Sequence, residues 1–123
     1  MQNEDTPADL RTRTKRYALR IIRCYSSLPK TTVAQVLGRQ LLRSGTSVGA
    51  HYREAYRARS VAEFVSKMEG ALQEADETAY WLELLIEAEI VPQRRLAALL
   101  AETGELLAIF TASVKTAKKK RHY

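Results

Sequence analysis

The chain has 123 residues, 46% of them apolar and 28% charged, with five Gly, three Pro and a single Cys; this suits one globular domain and excludes a disordered chain or an internal disulfide. The net charge of +6 is unevenly spread: residues 1–60 hold twelve Lys and Arg against four Asp and Glu, giving +8, residues 61–114 three against ten, giving −7, and the last nine residues five against none, giving +5. No uninterrupted run of about 18 apolar residues argues for a membrane span, and the polar opening "MQNEDTPADL" does not resemble a secretory signal.

The spacing predicts a first helix over about 9–27, with Asp9 as N-cap and Leu10, Tyr17, Ala18, Ile21, Cys24 and Tyr25 on one side. Cys24 lies next to Ile22 and Tyr25 and reads as a small near-core residue of a reducing cytoplasm. Pro29 ends this segment by pushing Leu28 away from helical geometry. A second helix is expected over 31–58, starting near Thr31 or Thr32, with Val33, Leu37, Leu41, Val48 and Ala55 on one stripe. Ser60 and Glu63 form a capping box for a third helix, 61–87, whose apolar face is Phe64, Met68, Ala71, Ala75, Ala79, Leu82 and Ile86. Pro92 fits the first turn of a fourth, 92–117, with Leu96, Leu100, Thr103, Leu107, Phe110 and Val114 aligned. Residues 118–123 are expected to be a flexible basic tail. No alternating strand pattern competes. Four amphipathic helices with short connections make the fold all-α, an up-down-up-down antiparallel four-helix bundle in one domain spanning 1–123.

The stretch "RSGTSVGAHYREA", residues 43–55, is unusual for a helix interior because each Gly costs about 1 kcal/mol relative to Ala. Gly45 and Gly49 therefore suggest close packing of another helix, or a bend that makes room for a neighbouring side chain. On a helical wheel Arg39, Arg43, Arg53 and Arg57 line up opposite the apolar stripe.

"LLRSGTSVGAHYREA", followed some twenty residues later by "ALQEADETAYWLELL", resembles the four-helix-bundle family of proteins encoded in intervening sequences of bacterial large-subunit ribosomal RNA. The matching positions include Arg43, Ser44, Ser47, Gly49, Ala50, Glu54 and Ala55 in the first block, and Glu74, Ala75, Glu77, Thr78, Trp81 and Leu82 in the second. His51 stands where the family usually shows Asn. The resemblance implies a small cytoplasmic bundle assembling as a ring-shaped pentamer. In fold it is also similar to the accessory proteins of diversity-generating retroelements, which bind nucleic acid and a reverse transcriptase.

Independently of family, Gly70, Glu74, Glu77, Trp81 and Leu84 form a second stripe on the third helix, away from its core face. An exposed Trp beside Gly and Leu marks an association surface, here an oligomer interface; the alternative is a helix with a wide buried face inside one protomer. The two carboxylates call for basic partners such as Arg43 or Arg53, from the same or a neighbouring subunit.

Catalytic chemistry finds no support. A di-metal carboxylate bundle needs a Glu-x-x-His motif on each of two helices, and only two His exist, one of them His122 near the C-terminus. No phosphate-binding Gly-rich loop or nucleophile–base pair is visible. We expect no enzyme, no cofactor, no metal and no small-molecule substrate.

Binding of RNA or DNA rests on three basic elements: Arg13, Arg16, Arg20 and Arg23 on the first helix; Arg39, Arg43, Arg53 and Arg57 on the second; and Lys118, Lys119, Lys120 and Arg121 in the tail, with Tyr123 available to stack on a base. Two readings stand at this point. One is a non-enzymatic homo-oligomer that binds RNA or another polyanion. The other is a structural adaptor whose surfaces serve self-assembly or a protein partner without nucleic acid.

Overall fold

The computed structural model describes residues 7–121, with side chains for 9–120. Four helices follow one another: α1 (Pro7–Ser26), α2 (Thr32–Tyr56), α3 (Val61–Glu87) and α4 (Gln93–Arg121). Each packs on the next, and α4 returns alongside α1, which completes the antiparallel bundle. The expected elements are all present, and the departures have identifiable causes.

α1 starts at Pro7, which leaves Asp9 inside its first turn rather than at the N-cap; a proline suits the first turn because the missing N–H has no acceptor there. Thr31 caps α2, its hydroxyl accepting from the Ala34 N–H at 3.3 Å. Ser60 caps α3, accepting from the Glu63 N–H at 3.0 Å, while the Glu63 carboxylate accepts the Arg59 N–H at 3.1 Å, one residue before the partner a standard capping box would use. α3 ends with the N–H groups of Glu89 and Ile90 bonded to the carbonyls of Ile86 and Leu85. This closure needs a left-handed residue, here Glu89 at φ 61°.

The basic tail was expected to be flexible from residue 118. Instead α4 continues to Arg121. Val114 and Ala117 are buried and anchor this last stretch, Lys and Arg are good helix formers, and cations are favoured at a helix C-terminus. His122 and Tyr123, and with them the expected stacking residue, lie outside the described residues. α4 is also long and apolar enough to cross a membrane by length and composition, although its apolar residues form no uninterrupted run. In the bundle its Leu96, Leu99, Thr103, Leu106, Phe110 and Val114 are core residues, and its outer surface is rich in alanine: Ala97, Ala98, Ala101, Ala108 and Ala112 are exposed.

The buried face of α2 is rotated from the expected one. Val33 is 59% exposed, and the buried ridge runs through Ala34, Gly38, Leu41, Gly45, Val48, Tyr52 and Ala55. Glycine carries no apolar side chain and so gives no hydrophobic signal, yet the glycines are where α1 comes closest. A Cβ on Gly45 would lie 2.7 Å from both Cγ atoms of Ile21, one on Gly38 would lie 2.6 Å from Leu28 Cδ1, and one on Gly49 would lie 3.3 Å from Thr14 Oγ1. Close packing, not a bend, explains glycines in the middle of this helix.

On α3, Met68, Ala71, Ala75 and Leu82 are buried as expected. Val65, Thr78 and Leu85 join them, while Phe64, Ala79 and Ile86 lie half-buried at the edges. Because α3 packs against both α2 and α4, its apolar face spreads to either side of the expected line. The buried hydroxyls of Thr14, Thr78 and Thr103 each donate to the carbonyl four residues earlier, at 2.8 Å, so no polar group is stranded there.

Candidate nucleic-acid interface

Four of the five arginines of α1 fall at 13, 16, 20 and 23, a 3-4-3 spacing that keeps them on one ridge, while Arg11 lies over the Tyr56 ring. That ridge borders α4, whose facing positions read, from its middle back to its start, Glu105, Glu102, Ala98, Arg95. The helices are antiparallel, so the two ladders meet in reverse order. At one end Arg13 Nε donates to Glu102 at 2.7 Å, and Nη2 donates to Glu102 at 2.8 Å and to Glu105 at 2.7 Å. Both the Arg13 and the Glu102 side chains are largely buried. The hydrogen bond to Glu102, with Glu105 adding to it, pushes the Arg13 pKa up and fixes the charge. Directly below, the Tyr17 hydroxyl donates to Thr103 Oγ1 in the core. Burial pushes that phenol up to about 12. Arg13 is therefore consumed inside the molecule, unlike the rest of its stripe.

Toward the other end α4 offers no carboxylate. Arg20, Arg23 and Arg95 line one cleft of about 260 Å³ between α1 and the start of α4, together with Cys24, Ser27 and Ala98. Burial raises the Cys24 thiol pKa, with Arg95 opposing the shift. Arg95 was not singled out from the sequence. The signal was available, because the first turn of α4 holds Arg94 and Arg95 and no acidic residue, the opposite of what the helix dipole favours.

Arg39, Arg43 and Arg53 on α2, and Arg57 at its C-cap, are all exposed, as the wheel requires. Arg43 reaches across to α3, with Nη1 3.3 Å from Glu74 and Nη2 2.6 Å from Glu77. Both acids of the α3 stripe thus find their basic partner within the protomer, one of the two sources left open. Gly70 is occupied in the same way: a Cβ there would lie 2.9 Å from His51 Nδ1 of α2. The His51 nitrogens stand 3.6 Å from Glu54 and 3.8 Å from Glu74, and no group of three or more potential metal ligands occurs among the described residues. Trp81 is not fully exposed as expected but half-buried against the core, edge-on to Tyr80, with its Nε1 enclosed and without an acceptor. Leu84 is also half-buried. Gly70, Glu74 and Glu77 of this stripe thus face α2 within the protomer.

In the C-terminal stretch Lys118 pairs with Glu69 at 3.1 Å on the surface. Arg16, Arg20, Arg23, Arg39, Arg53, Arg57, Lys119 and Lys120 have no carboxylate within ion-pair distance among the described residues; the Arg121 side chain lies outside them. A separate apolar groove of about 760 Å³ runs between the start of α3 and the last turns of α4, floored by Phe64, Ile109 and Ala112 and edged by Arg59 and Lys120.

Comparison with known proteins accords with this architecture. A solved structure of a protein of unknown function from the S23 ribosomal protein family of Bacteroides thetaiotaomicron is 36% identical, superposes with a TM-score of 0.83, and is matched over 89% of this chain and 97% of its own. No curated protein matches. The sequence model described as 23S rRNA-intervening sequence protein matches residues 8–112. This chain, through its bundle and its two motif blocks alike, belongs to the 23S rRNA-intervening sequence protein family.

Proposed function

We propose that this protein is a non-enzymatic, homo-oligomeric four-helix bundle of the cytoplasm that binds RNA through its cationic surface. One observation carries the reading: after every intramolecular ion pair among the described residues is accounted for, eight of the twelve basic residues proposed to contact nucleic acid remain without a carboxylate partner. Arg13, Arg43 and Lys118 are committed internally, and the uncommitted residues concentrate on α1, α2 and the end of α4. Contacts of this kind go to phosphates, carry little sequence information, and weaken steeply with salt. Repeated around a closed oligomer, a pentamer by family resemblance, they would gain avidity.

Retention of the full-length protein on single-stranded and structured RNA at low salt, falling as salt is raised, is the expected result. No retention at low salt sinks the reading. Because Val114 and Ala117 belong to the core, the tail is tested by replacing Lys118, Lys119, Lys120 and Arg121 with Gln, not by deletion; weaker retention with unchanged oligomer mass is expected.

A second reading, self-assembly or protein docking without nucleic acid, is favoured by the apolar groove beside Phe64 and Ile109 and by the unsatisfied Trp81 Nε1. Light scattering addresses the assembly shared by both readings: a monomeric mass overturns it, and Trp81→Ala is expected to lower the mass more than Tyr123→Ala.

A further inference from the structure

We infer that the cleft lined by Arg20, Arg23 and Arg95 is a binding site for a phosphate group. The inference rests on the RNA reading in that the phosphate is assigned to a nucleic-acid backbone; the site itself is argued from geometry.

Three arginines, half-buried Arg20 and exposed Arg23 and Arg95, line a single cleft of about 260 Å³, and among the described residues none has a carboxylate within ion-pair distance. Clustering like charges without a counter-ion is unfavourable, and the placement of Arg95 makes it more so. Arg95 sits in the first turn of α4, where the helix dipole is positive and where no acidic residue compensates. Local rules are broken in this way where a site needs them broken. A bound anion reverses both penalties, by neutralising the arginines and by lying beside the positive first turns of α4.

The chemistry of the groups selects phosphate. Guanidinium presents planar paired donors that match two phosphate oxygens at once, and three of them around one cleft offer more donors than a carboxylate can accept. The same α1 ladder supplies an internal control. Two turns earlier, where α4 presents Glu102 and Glu105, Arg13 is fully paired. At the cleft the corresponding α4 position is Ala98, so no carboxylate of the protein fills this place in the ladder. The small side chain of Ala98 also leaves the room for it. A phosphodiester of RNA and a free phosphomonoester share this chemistry, and the experiment separates them.

The test uses the full-length protein labelled with ¹⁵N-arginine, following the Nε–Hε signals during titration with inorganic phosphate, adenosine monophosphate and a mixed-sequence single-stranded RNA. Phosphate is expected to shift the signals of Arg20, Arg23 and Arg95 while leaving that of Arg13 in place, and RNA is expected to perturb the same three. Arg95→Glu is expected to weaken phosphate binding at least tenfold, and Ala98→Glu, which restores the missing carboxylate without removing any arginine, to do the same. Lys15→Glu, an equal charge change on the exposed side of α1, should leave phosphate binding within twofold. Helical circular dichroism identifies any variant that fails to fold, and Ala98→Glu, on an exposed position, serves if Arg95→Glu does.

Absence of phosphate-induced shifts at the three arginines overturns the site, even if RNA is retained elsewhere on the protein. Shifts with phosphate and adenosine monophosphate but none with RNA leave the site standing and overturn its assignment to a nucleic-acid backbone. Phosphate binding undiminished in both Arg95→Glu and Ala98→Glu also overturns the site.

Discussion

α1 is held by its two neighbours in opposite ways. Against α2 the seam is closed by absence: Gly38, Gly45 and Gly49 remove side chains so that Tyr25, Leu28, Ile21 and Thr14 can rest on bare backbone. Against α4 the seam is bridged by long polar arms, Arg13 to Glu102 and Tyr17 to Thr103, and the two backbones stay farther apart. A seam made of small residues leaves no room for a ligand. One spanned by long side chains becomes a cleft wherever the spanning pair is missing, and this happens at Ala98. The polarity of that cleft follows from a change of sign along α4, from Glu105 and Glu102 to Arg95.

The sharpest way to break the glycine seam is Gly45→Ala. The new methyl would meet atoms attached directly to the branched Cβ of buried Ile21, which cannot swing aside. Overpacking of this kind costs roughly 1–3 kcal/mol, more than the ~1 kcal/mol that alanine gains in helix propensity. A lower urea midpoint is expected, and an unchanged or higher one would show that α1 is free to retreat.

At the bridged seam, Glu102→Gln removes the charged acceptor of a largely buried pair. A loss of about 1–2 kcal/mol follows, and it should shrink little in salt because burial limits screening. A loss abolished by 1 M salt would mean that the pair behaves as a surface one.

The Tyr17 bond gives the same seam a pH signature. The phenol titrates near 10 when unfolded and at about 12 when folded. Its contribution is therefore complete below pH 10 and is lost as pH climbs toward 12, because the unfolded chain releases the proton first. Between pH 10 and 11 the fall is on the order of 1 kcal/mol, read as a drop in Tm. Burial also raises the Tyr52 phenol to about 12, so a decline persists in Tyr17→Phe but should be shallower. An equally steep decline in that variant would remove Tyr17 as its source.

Gly104→Ala is the smallest of these effects and runs in the opposite direction. Nothing lies within 4 Å of a Cβ at that position, so alanine stabilises α4 by about 0.5–1 kcal/mol through propensity alone. If Gly104→Ala destabilises the protein or lowers its oligomer mass, the outer face of α4 is covered by another chain.

The helices and their order were legible in the sequence because apolar periodicity, Thr31 and Ser60 at helix starts, and Pro29 and Pro92 at breaks are local signals. α3, bounded by a capping box and a turn, was placed at 61–87 as observed. The cationic ladder of α1 was legible for the same reason, since a 3-4-3 spacing defines a ridge on any helix. The pairing of Glu74 and Glu77 with Arg43 was foreseen only as a need, with the donor's subunit left open. The central role of the α2 glycines was half legible: their cost announced close packing, but they could not declare themselves the middle of the buried face.

By itself, then, the sequence determined four helices, their caps, their polar ridges and the likeness to one family, because each depends on residues a few positions apart. Only the tertiary structure decided which arginines are spent and which are free. That choice depends on what the facing helix presents some eighty residues later in the chain, Glu102 opposite Arg13 and Ala98 with Arg95 opposite Arg20. A charge is neutralised by whatever lies within a few ångströms of it, and no spacing along α1 encodes that neighbour.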